Sequence, residues 1–160
     1  MKIDPERDIL LSRLLPAPPA LVWRCWTEPA LFAEWYLPKP WQARDLVLEA
    51  WPGGRFAMTV AGPEGQEFPV TGSFLVAEPA RRLVFTDLMD ADFAPFDLPD
   101  TSLGPSFTAV VTLAPEGAGT RQISVARHRS AKDCAENRAS GFEAGWQVTA
   151  DQLAALVARL

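Results

Sequence analysis

The sequence predicts an α+β domain in which a single antiparallel β-sheet packs against a long C-terminal helix. Between residues 46 and 129, short segments of alternating apolar and polar side chains are separated by turns rich in Gly and Pro. Residues 142–160 instead repeat their apolar side chains with helical spacing. Because strands and helix occupy separate stretches, the pattern favours α+β over alternating α/β units. The 160 residues fit one domain with bounds 1–160.

The first third of the chain predicts one strand and two short helices. The apolar run 9–15 favours a strand, and Pro16 cannot continue it. Residues 20–26, directly after a group of prolines, are predicted to form a short helix. Thr27 is a candidate cap for a second helix, which contains Pro29 in its first turn and runs to about residue 35.

Six further strands are expected in the middle of the chain. Their predicted bounds are 46–51, 55–60, 68–77, 83–88, 107–113 and 122–129. Short turn signals join most of them, which predicts an antiparallel meander. The exception is Asp90–Pro105, about sixteen residues with four Asp and two Phe, which we expect to form a partial lid.

The C-terminal helix is predicted over residues 142–160. At 1.5 Å per residue it would be about 28 Å long, and a strand of about nine residues spans about 30 Å. The helix is therefore long enough to lie across the sheet. Gly141 and Gly145 lie four residues apart, and we expect them to sit inside the helix where another backbone approaches closely.

Composition and charge exclude several classes of function. A net charge of −5 argues against a non-specific nucleic-acid binder or a protein that binds anionic membranes. No apolar run reaches the roughly 20 residues of a membrane span, and the charged N-terminus does not resemble a signal peptide, so a cytoplasmic protein is expected. One His and two distant cysteines, Cys25 and Cys134, predict neither a metal nor another cofactor, while a disulfide stays open.

A series of short motifs extends along almost the whole chain. They are, in order, Pro16-Ala17-Pro18, Val22-Trp23, Trp26-Thr27, Pro29, Trp35, Pro38, Gly53-Gly54 with Phe56, Gly72, Arg82-Leu83-Val84-Phe85-Thr86, Gly119-Thr120, Arg127-His128, Gly141-Phe142 with Gly145-Trp146, and Gln152-Leu153. In order and spacing this set resembles AHSA-type proteins, relatives of the activator of the heat-shock protein 90 ATPase within the START-like SRPBCC superfamily. Asn137 stands where such relatives often have a His.

The resemblance implies a helix-grip fold, in which a curved antiparallel sheet wraps around the C-terminal helix and two short helices close one end. It also implies a cavity for a hydrophobic small molecule between sheet and helix. Superfamily members include lipid carriers and polyketide cyclases.

Strand alternation predicts which side chains face this cavity. The predicted lining consists of Trp35, Phe56, Met58, Phe74, Phe85, Asp87, Phe107, Val111, Arg127, Phe142 and Trp146. Gln122, Ser124 and His128 fall on the opposite face and are expected in solvent. The alternative is that the aromatic side chains, which each bury 150–250 Å², fill the gap completely.

Tryptophan is unevenly distributed. Trp23, Trp26, Trp35, Trp41 and Trp51 lie in the first third of the chain, and Trp146 lies on the C-terminal helix. This predicts an aromatic cluster that closes one end of the fold.

Asp87 and Arg127 are the charged pair among the predicted lining residues. An inward carboxylate needs a partner, so Arg127 would pair with Asp87 or with an anionic head group of a ligand. The alternative is that each lies at a strand end and reaches water. With no nucleophile elbow, phosphate loop or metal cluster in the sequence, no catalytic residue is assigned.

These observations favour a binding protein for a hydrophobic or amphipathic small molecule. The alternatives are a cyclase- or hydrolase-type enzyme that uses Asp87 or Arg127 in the same cavity, and a module that activates a chaperone ATPase. A homodimer through an exposed face or edge of the sheet also stays open.

Overall fold

A computed structural model describes residues 1–97 and 103–160 of the chain. Its strands are β1 (Asp8–Leu15), β2 (Gln42–Leu48), β3 (Arg55–Ala61), β4 (Glu67–Glu78), β5 (Arg82–Thr86), β6 (Phe107–Glu116) and β7 (Gly119–His128). The α-helices are α1 (Pro19–Thr27), α2 (Pro29–Phe32), α3 (Ala131–Ala139) and α4 (Phe142–Arg159), and a 3₁₀ turn covers Ala91–Phe93. The predicted α+β class is confirmed.

The seven strands form one antiparallel sheet in the order β1-β7-β6-β5-β4-β3-β2. From β2 to β7 each strand pairs with the next in sequence, which confirms the meander. β1 instead pairs with the last strand, from Asp8 opposite Arg127 to Leu15 opposite Thr120. The sheet curves around α4, and this helix-grip arrangement is the one that the resemblance implied.

The main core lies between the concave face of the sheet and α4. Leu153, Leu156 and Val157 of the helix are buried there with Phe74 and Leu83 of the sheet. Helices α1 and α2 close one end of this core. Each begins with a proline at a position where the missing N–H costs no hydrogen bond.

Helix α3 was not expected from the sequence. Its sequence is AKDCAENRA, in which eight of the nine residues are polar or Ala, so the helix carries no apolar stripe. The helix begins at Ser130, whose hydroxyl accepts a hydrogen bond from the backbone N–H of Asp133 at 3.1 Å. Its buried residues are Asp133, Cys134 and Asn137.

The prediction for the two C-terminal glycines was wrong. Gly141 does not lie inside a helix: it has φ +86° and separates α3 from α4. This is a left-handed conformation that glycine adopts without strain. Gly145 does lie in α4, but a Cβ there would meet only the Pro38 side chain at 3.9 Å, so no backbone approaches it closely.

Strand β2 differs from its predicted bounds by several residues. It begins at Gln42 and ends at Leu48, with a bulge between Arg44 and Val47. Trp51, predicted to lie in the strand and in an aromatic cluster, is 56% exposed in the turn that follows. The predicted lid at Asp90–Pro105 falls partly on residues 98–102, which lie outside the described residues.

Both cysteines are buried in helices, Cys25 in α1 and Cys134 in α3, and both are free thiols. Within 1–97 and 103–160, none of the helices is long and apolar enough to cross a membrane.

Candidate functional site

A cavity of about 590 Å³ lies between the concave face of the sheet and helix α4. Its sheet wall comes from β3, β4, β5 and β6, its helical wall from α3 and α4, and one side from the segment that follows α2. The lining side chains on the sheet include Phe56, Met58, Val60, Phe68, Val70, Phe85 and Phe107, and those on α4 include Phe142, Trp146 and Thr149. The cavity is therefore mainly aromatic and aliphatic.

Most of the residues predicted to line a cavity surround this one. They are Phe56, Met58, Phe85, Asp87, Phe107, Phe142 and Trp146. Trp35, Phe74 and Val111 are instead buried in the neighbouring core, with at most 3% of each residue exposed. The space between sheet and helix is thus packed with side chains at one end and open at the other.

The packed end contains the tryptophans of α1 and of the residues after α2. Trp26 and Trp35 pack edge to face with ring centroids 4.6 Å apart. Their indole nitrogens donate hydrogen bonds to Gln122 Oε1 at 2.8 Å and to the Cys25 carbonyl oxygen at 2.9 Å, respectively. Trp146 does not join them, because it packs against Phe107 and Phe142 beside the cavity. Trp41 stacks on Phe68 apart from both groups, so the tryptophans do not form the single aromatic cluster predicted from the sequence.

Arg127 does not line the cavity, and its predicted inward orientation was wrong. Phe107 of β6 pairs with His128, and Thr108 pairs with Arg127. Since paired residues share a face of the sheet, Arg127 lies on the convex side, opposite Phe107. There its Nε donates to Asp8 Oδ1 at 3.1 Å, so it forms no ion pair with Asp87.

The same register places three polar side chains of β7 inward, which contradicts the prediction that they lie in solvent. Gln122, Ser124 and His128 are only 3%, 4% and 3% exposed. Gln122 accepts from the Trp26 indole and donates to the Ser124 hydroxyl, so both buried groups have partners.

His128 uses both of its ring nitrogens inside the fold. Nδ1 lies 2.9 Å from the carbonyl oxygen of Arg7, and Nε2 lies 2.8 Å from the amide nitrogen of Asn137. A neutral ring protonated at Nδ1 satisfies both contacts, donating to the first and accepting from the second. His128 therefore has no nitrogen left to act as a general base.

Asn137 occupies the position at which AHSA-type relatives often have a His, and the sequence gives no further indication of its role. It is 2% exposed, lines the cavity and also donates to the carbonyl oxygen of Pro105 at 3.1 Å. It thereby connects α3 with β7 and with the segment just before β6.

Asp87 immediately follows β5 and lines the cavity. Its Oδ1 accepts a hydrogen bond from the backbone N–H of Phe107 at 2.9 Å, and the Ser106 hydroxyl is a further donor. Burial raises the pKa of this carboxyl group, and the hydrogen bonds offset only part of that effect. Among the described residues, no Lys or Arg nitrogen lies within 4 Å of it.

Tyr36, the single tyrosine of the chain, is a lining residue that the sequence did not reveal. It follows α2, where no periodic pattern exists, and its ring stacks on Phe32 with centroids 4.1 Å apart. Burial raises the pKa of its hydroxyl, and the negative charge of Asp87 raises it further. The Tyr36 hydroxyl and the Asp87 carboxyl group are therefore both held toward their protonated forms.

Gln152 of α4 fixes the segment that carries Tyr36. Its Nε2 donates to the carbonyl oxygens of Trp35 at 2.8 Å and Leu37 at 2.7 Å, and its Oε1 accepts from the backbone N–H of Lys39 at 3.0 Å. One side chain thus holds the backbone on both sides of Tyr36.

Over the parts of the chain that the structure covers, no group of three or more His, Cys, Asp or Glu side chains has a geometry suited to a metal ion. The polar groups that face the cavity are a carboxyl, a phenol, hydroxyls and an amide. They are suited to hydrogen bonding and to proton donation.

Comparisons with known proteins identify the family. The family model described as "Activator of Hsp90 ATPase homolog 1-like protein" matches residues 16–158. A protein from Nitrosomonas europaea, known from a crystal structure, is 36% identical in sequence and matches with a TM-score of 0.90. The match covers 98% of this chain and 97% of that protein. A search of curated proteins found no match.

Two more distant crystal structures show the same fold. A protein from Chromobacterium violaceum is 28% identical over 94% of this chain and 96% of its own, with a TM-score of 0.72. The AHSA1 protein from Silicibacter pomeroyi is 22% identical, with a TM-score of 0.71, and the match covers 94% of this chain and 97% of that protein. The chain therefore belongs to the family of Activator of Hsp90 ATPase homolog 1-like proteins.

Proposed function

We propose that this protein binds a hydrophobic or amphipathic small molecule in the cavity between the sheet and α4. The observation that supports the proposal is the cavity itself: about 590 Å³, within the range of about 300–1,000 Å³ that small-molecule sites occupy. Its walls are mostly apolar, and a few polar groups converge on it, among them Tyr36, Asp87 and Asn137. Such a combination supplies burial for an apolar body and orientation for a polar group.

Phe107, Phe142 and Trp146 would form the aromatic side of the binding site. Phe142 and Trp146 are one helical turn apart, with ring centroids separated by 4.8 Å. Phe107 of β6 meets Phe142 edge to face at 5.2 Å. Edge-to-face packing fixes these rings in place, so an entering apolar ligand would meet a preformed wall.

Fluorescence titration with N-phenyl-1-naphthylamine, a neutral apolar dye, tests the proposal. We expect enhanced, blue-shifted emission and saturable binding. Gly145→Leu places a side chain where Gly145 lines the cavity and should weaken binding at least tenfold. Its Cβ would meet Pro38 at an ordinary 3.9 Å, so the fold should tolerate it.

Ala144→Leu is the matched control, because residue 144 is the exposed neighbour of Gly145 on the same helix. Its affinity should stay within twofold of the wild type. Absence of saturable binding, or equal weakening by both substitutions, would contradict binding in this cavity.

An enzyme that uses the same cavity is a second candidate, and Asp87 is the observation that favours it. A half-buried carboxyl group with a raised pKa is suited to donate a proton to a bound substrate. Arg127 takes no part in this candidate mechanism, since it lies on the convex face. For any compound that the protein converts, Asp87→Asn should lower turnover by about a hundredfold or more; unchanged turnover would remove this role.

Activation of a chaperone ATPase is a third candidate, suggested by the family description and by an apolar patch on the convex face. Leu10, Leu14 and Ile123 are 50%, 49% and 36% exposed on adjacent strands β1 and β7. Purified Hsp90 should then hydrolyse ATP faster in the presence of this protein, and Leu10→Ser with Leu14→Ser should abolish the effect. No binding to Hsp90 at micromolar concentration would exclude this candidate.

A further inference from the structure

Asp87 is the one carboxylate among the residues described as lining the cavity, and no Lys or Arg lines it with Asp87. The other polar lining groups of the described chain are neutral: the Tyr36 phenol, the Asn137 amide and three hydroxyls. The cavity therefore has an electrostatic asymmetry, with one acidic group in an otherwise apolar and neutral wall.

The groups around Asp87 do not balance its charge. The backbone N–H of Phe107 and the hydroxyl of Ser106 are neutral donors. His128 lies near enough to influence Asp87, but its ring nitrogens are occupied by Arg7 and Asn137, as described above. Residues 98–102, which lie outside the described residues, have the sequence Leu-Pro-Asp-Thr-Ser and include no Lys or Arg.

This arrangement should favour a cationic head group on the ligand over an anionic one. Asp87 is half-buried, and this burial disfavours its ionised form. A cation that enters beside it would favour the carboxylate and offset that cost. An ammonium group would also form a charge-assisted hydrogen bond with Asp87 and face the aromatic rings of Phe85, Phe107 and Trp146, which attract cations. A carboxylate ligand would place a second negative charge in the same low-dielectric space.

We propose that the ligand of this cavity is a hydrophobic amine, whose protonated nitrogen binds Asp87 while its apolar part packs against Phe85, Phe107 and Trp146. This inference rests on the function proposed above and names the chemical class of the ligand.

Isothermal titration calorimetry at pH 7 with three ligands of one chain length tests the inference. Decylamine, decanol and decanoate share an apolar chain and differ in the charge of the head group. We expect decylamine to bind wild-type protein at least tenfold more tightly than decanoate, with decanol between them. This comparison needs no variant, so it holds even if a substitution at Asp87 impairs folding.

Asp87→Asn tests the residue itself. It should bring the affinities for decylamine and decanoate to within about threefold of each other. Glu6→Gln, which removes one exposed negative charge near the N-terminus, should leave the tenfold preference intact. This control separates a local ion pair from the general attraction of a protein with a net charge of −5.

The outcomes distinguish the inference from the function on which it rests. Decanoate binding as tightly as decylamine, or an unchanged preference in Asp87→Asn, would overturn the amine assignment while leaving a hydrophobic binding site in place. If none of the three ligands bound, and N-phenyl-1-naphthylamine did not bind either, both the assignment and the proposed function would be wrong.

Discussion

The side-chain amide of Asn137 donates a hydrogen bond to Nε2 of His128 at 2.8 Å. The same nitrogen donates to the carbonyl oxygen of Pro105, which immediately precedes Ser106, a donor to Asp87. All of these groups are buried or line the cavity. One amide on α3 therefore supports the wall of the cavity on which Asp87 lies.

Asn137→Ala should destabilise the protein. The substitution leaves His128 Nε2 and the Pro105 carbonyl oxygen without their shared donor, and an unsatisfied buried polar group costs about 1–3 kcal/mol. Urea unfolding measures the loss. Glu136→Ala, an exposed position on the same helix, should cost less than about 0.5 kcal/mol. Equal stability of Asn137→Ala and the wild type would contradict a supporting role for this amide.

Gln152→Glu should loosen the segment that carries Tyr36. The change preserves size and shape but replaces the amide that donates to the carbonyl oxygens of Trp35 and Leu37 with an acceptor. We expect a loss of about 1–3 kcal/mol in the free energy of unfolding and weaker binding of N-phenyl-1-naphthylamine.

Gln147→Glu is the control for this substitution, since it makes the same chemical change at an exposed site on the same helix. If both variants unfold at the same urea concentration, the hydrogen bonds of Gln152 do not stabilise the segment.

Asp87→Asn should change how stability depends on pH. Below the ordinary Asp pKa of about 3.9, the carboxyl group is protonated in both the native and the unfolded state. Between that value and the raised pKa of the native state, the native protein holds a proton that the unfolded chain has lost, so stability falls as pH rises. The variant lacks this decrease, and its stability relative to the wild type should increase from acidic to neutral pH.

Thermal unfolding across this pH range measures the difference between Asp87→Asn and the wild type. Glu6→Gln removes an exposed carboxylate and controls for the change in net charge. A difference that stays constant or shrinks with rising pH would show that Asp87 is not penalised by burial.

The buried cysteines should be inert in the native protein. Burial raises the pKa of Cys25 to about 11, which leaves about one thiol in a thousand ionised at pH 8. Burial also raises the pKa of Cys134. Ellman's reagent at pH 8 should therefore react with both only after addition of denaturant. Rapid reaction of either thiol in native protein would contradict the described packing of α1 or α3.

Most of the fold could be predicted because its signals are local. The alternating pattern of β3, with Phe56, Met58 and Val60 on one face, gives the correct inward side, and the same holds for Phe85 in β5 and Phe107 in β6. Short turns that contain Gly or Pro join β2 to β3, β3 to β4, β4 to β5 and β6 to β7, and they restrict these neighbouring strands to antiparallel hairpins.

The inward face of β7 could not be predicted from hydropathy. Its concave side carries Gln122 and His128, while its convex side carries Val125, which is buried against Val84 and Val110, so polarity indicates the wrong face. Each buried polar group is satisfied by a residue far away in sequence: Trp26 for Gln122 and Asn137 for His128. Only the pairing register with β6 reveals the orientation.

The polar residues that line the cavity were only partly predicted. Asp87 was identified because it continues the inward alternation of β5. Tyr36 lies outside any periodic segment, and Asn137 lies on a helix without an apolar stripe. Residues that are positioned by tertiary hydrogen bonds leave no periodic signal in the sequence.

The most direct test of the central claim is a crystal structure of the protein with N-phenyl-1-naphthylamine. The account predicts electron density for the dye inside the cavity, with its rings between the sheet side chains Phe85 and Phe107 and the helix side chain Trp146. A cavity closed by these side chains, or dye bound only on the outer surface, would contradict the claim that the fold holds a small hydrophobic molecule between its sheet and its C-terminal helix.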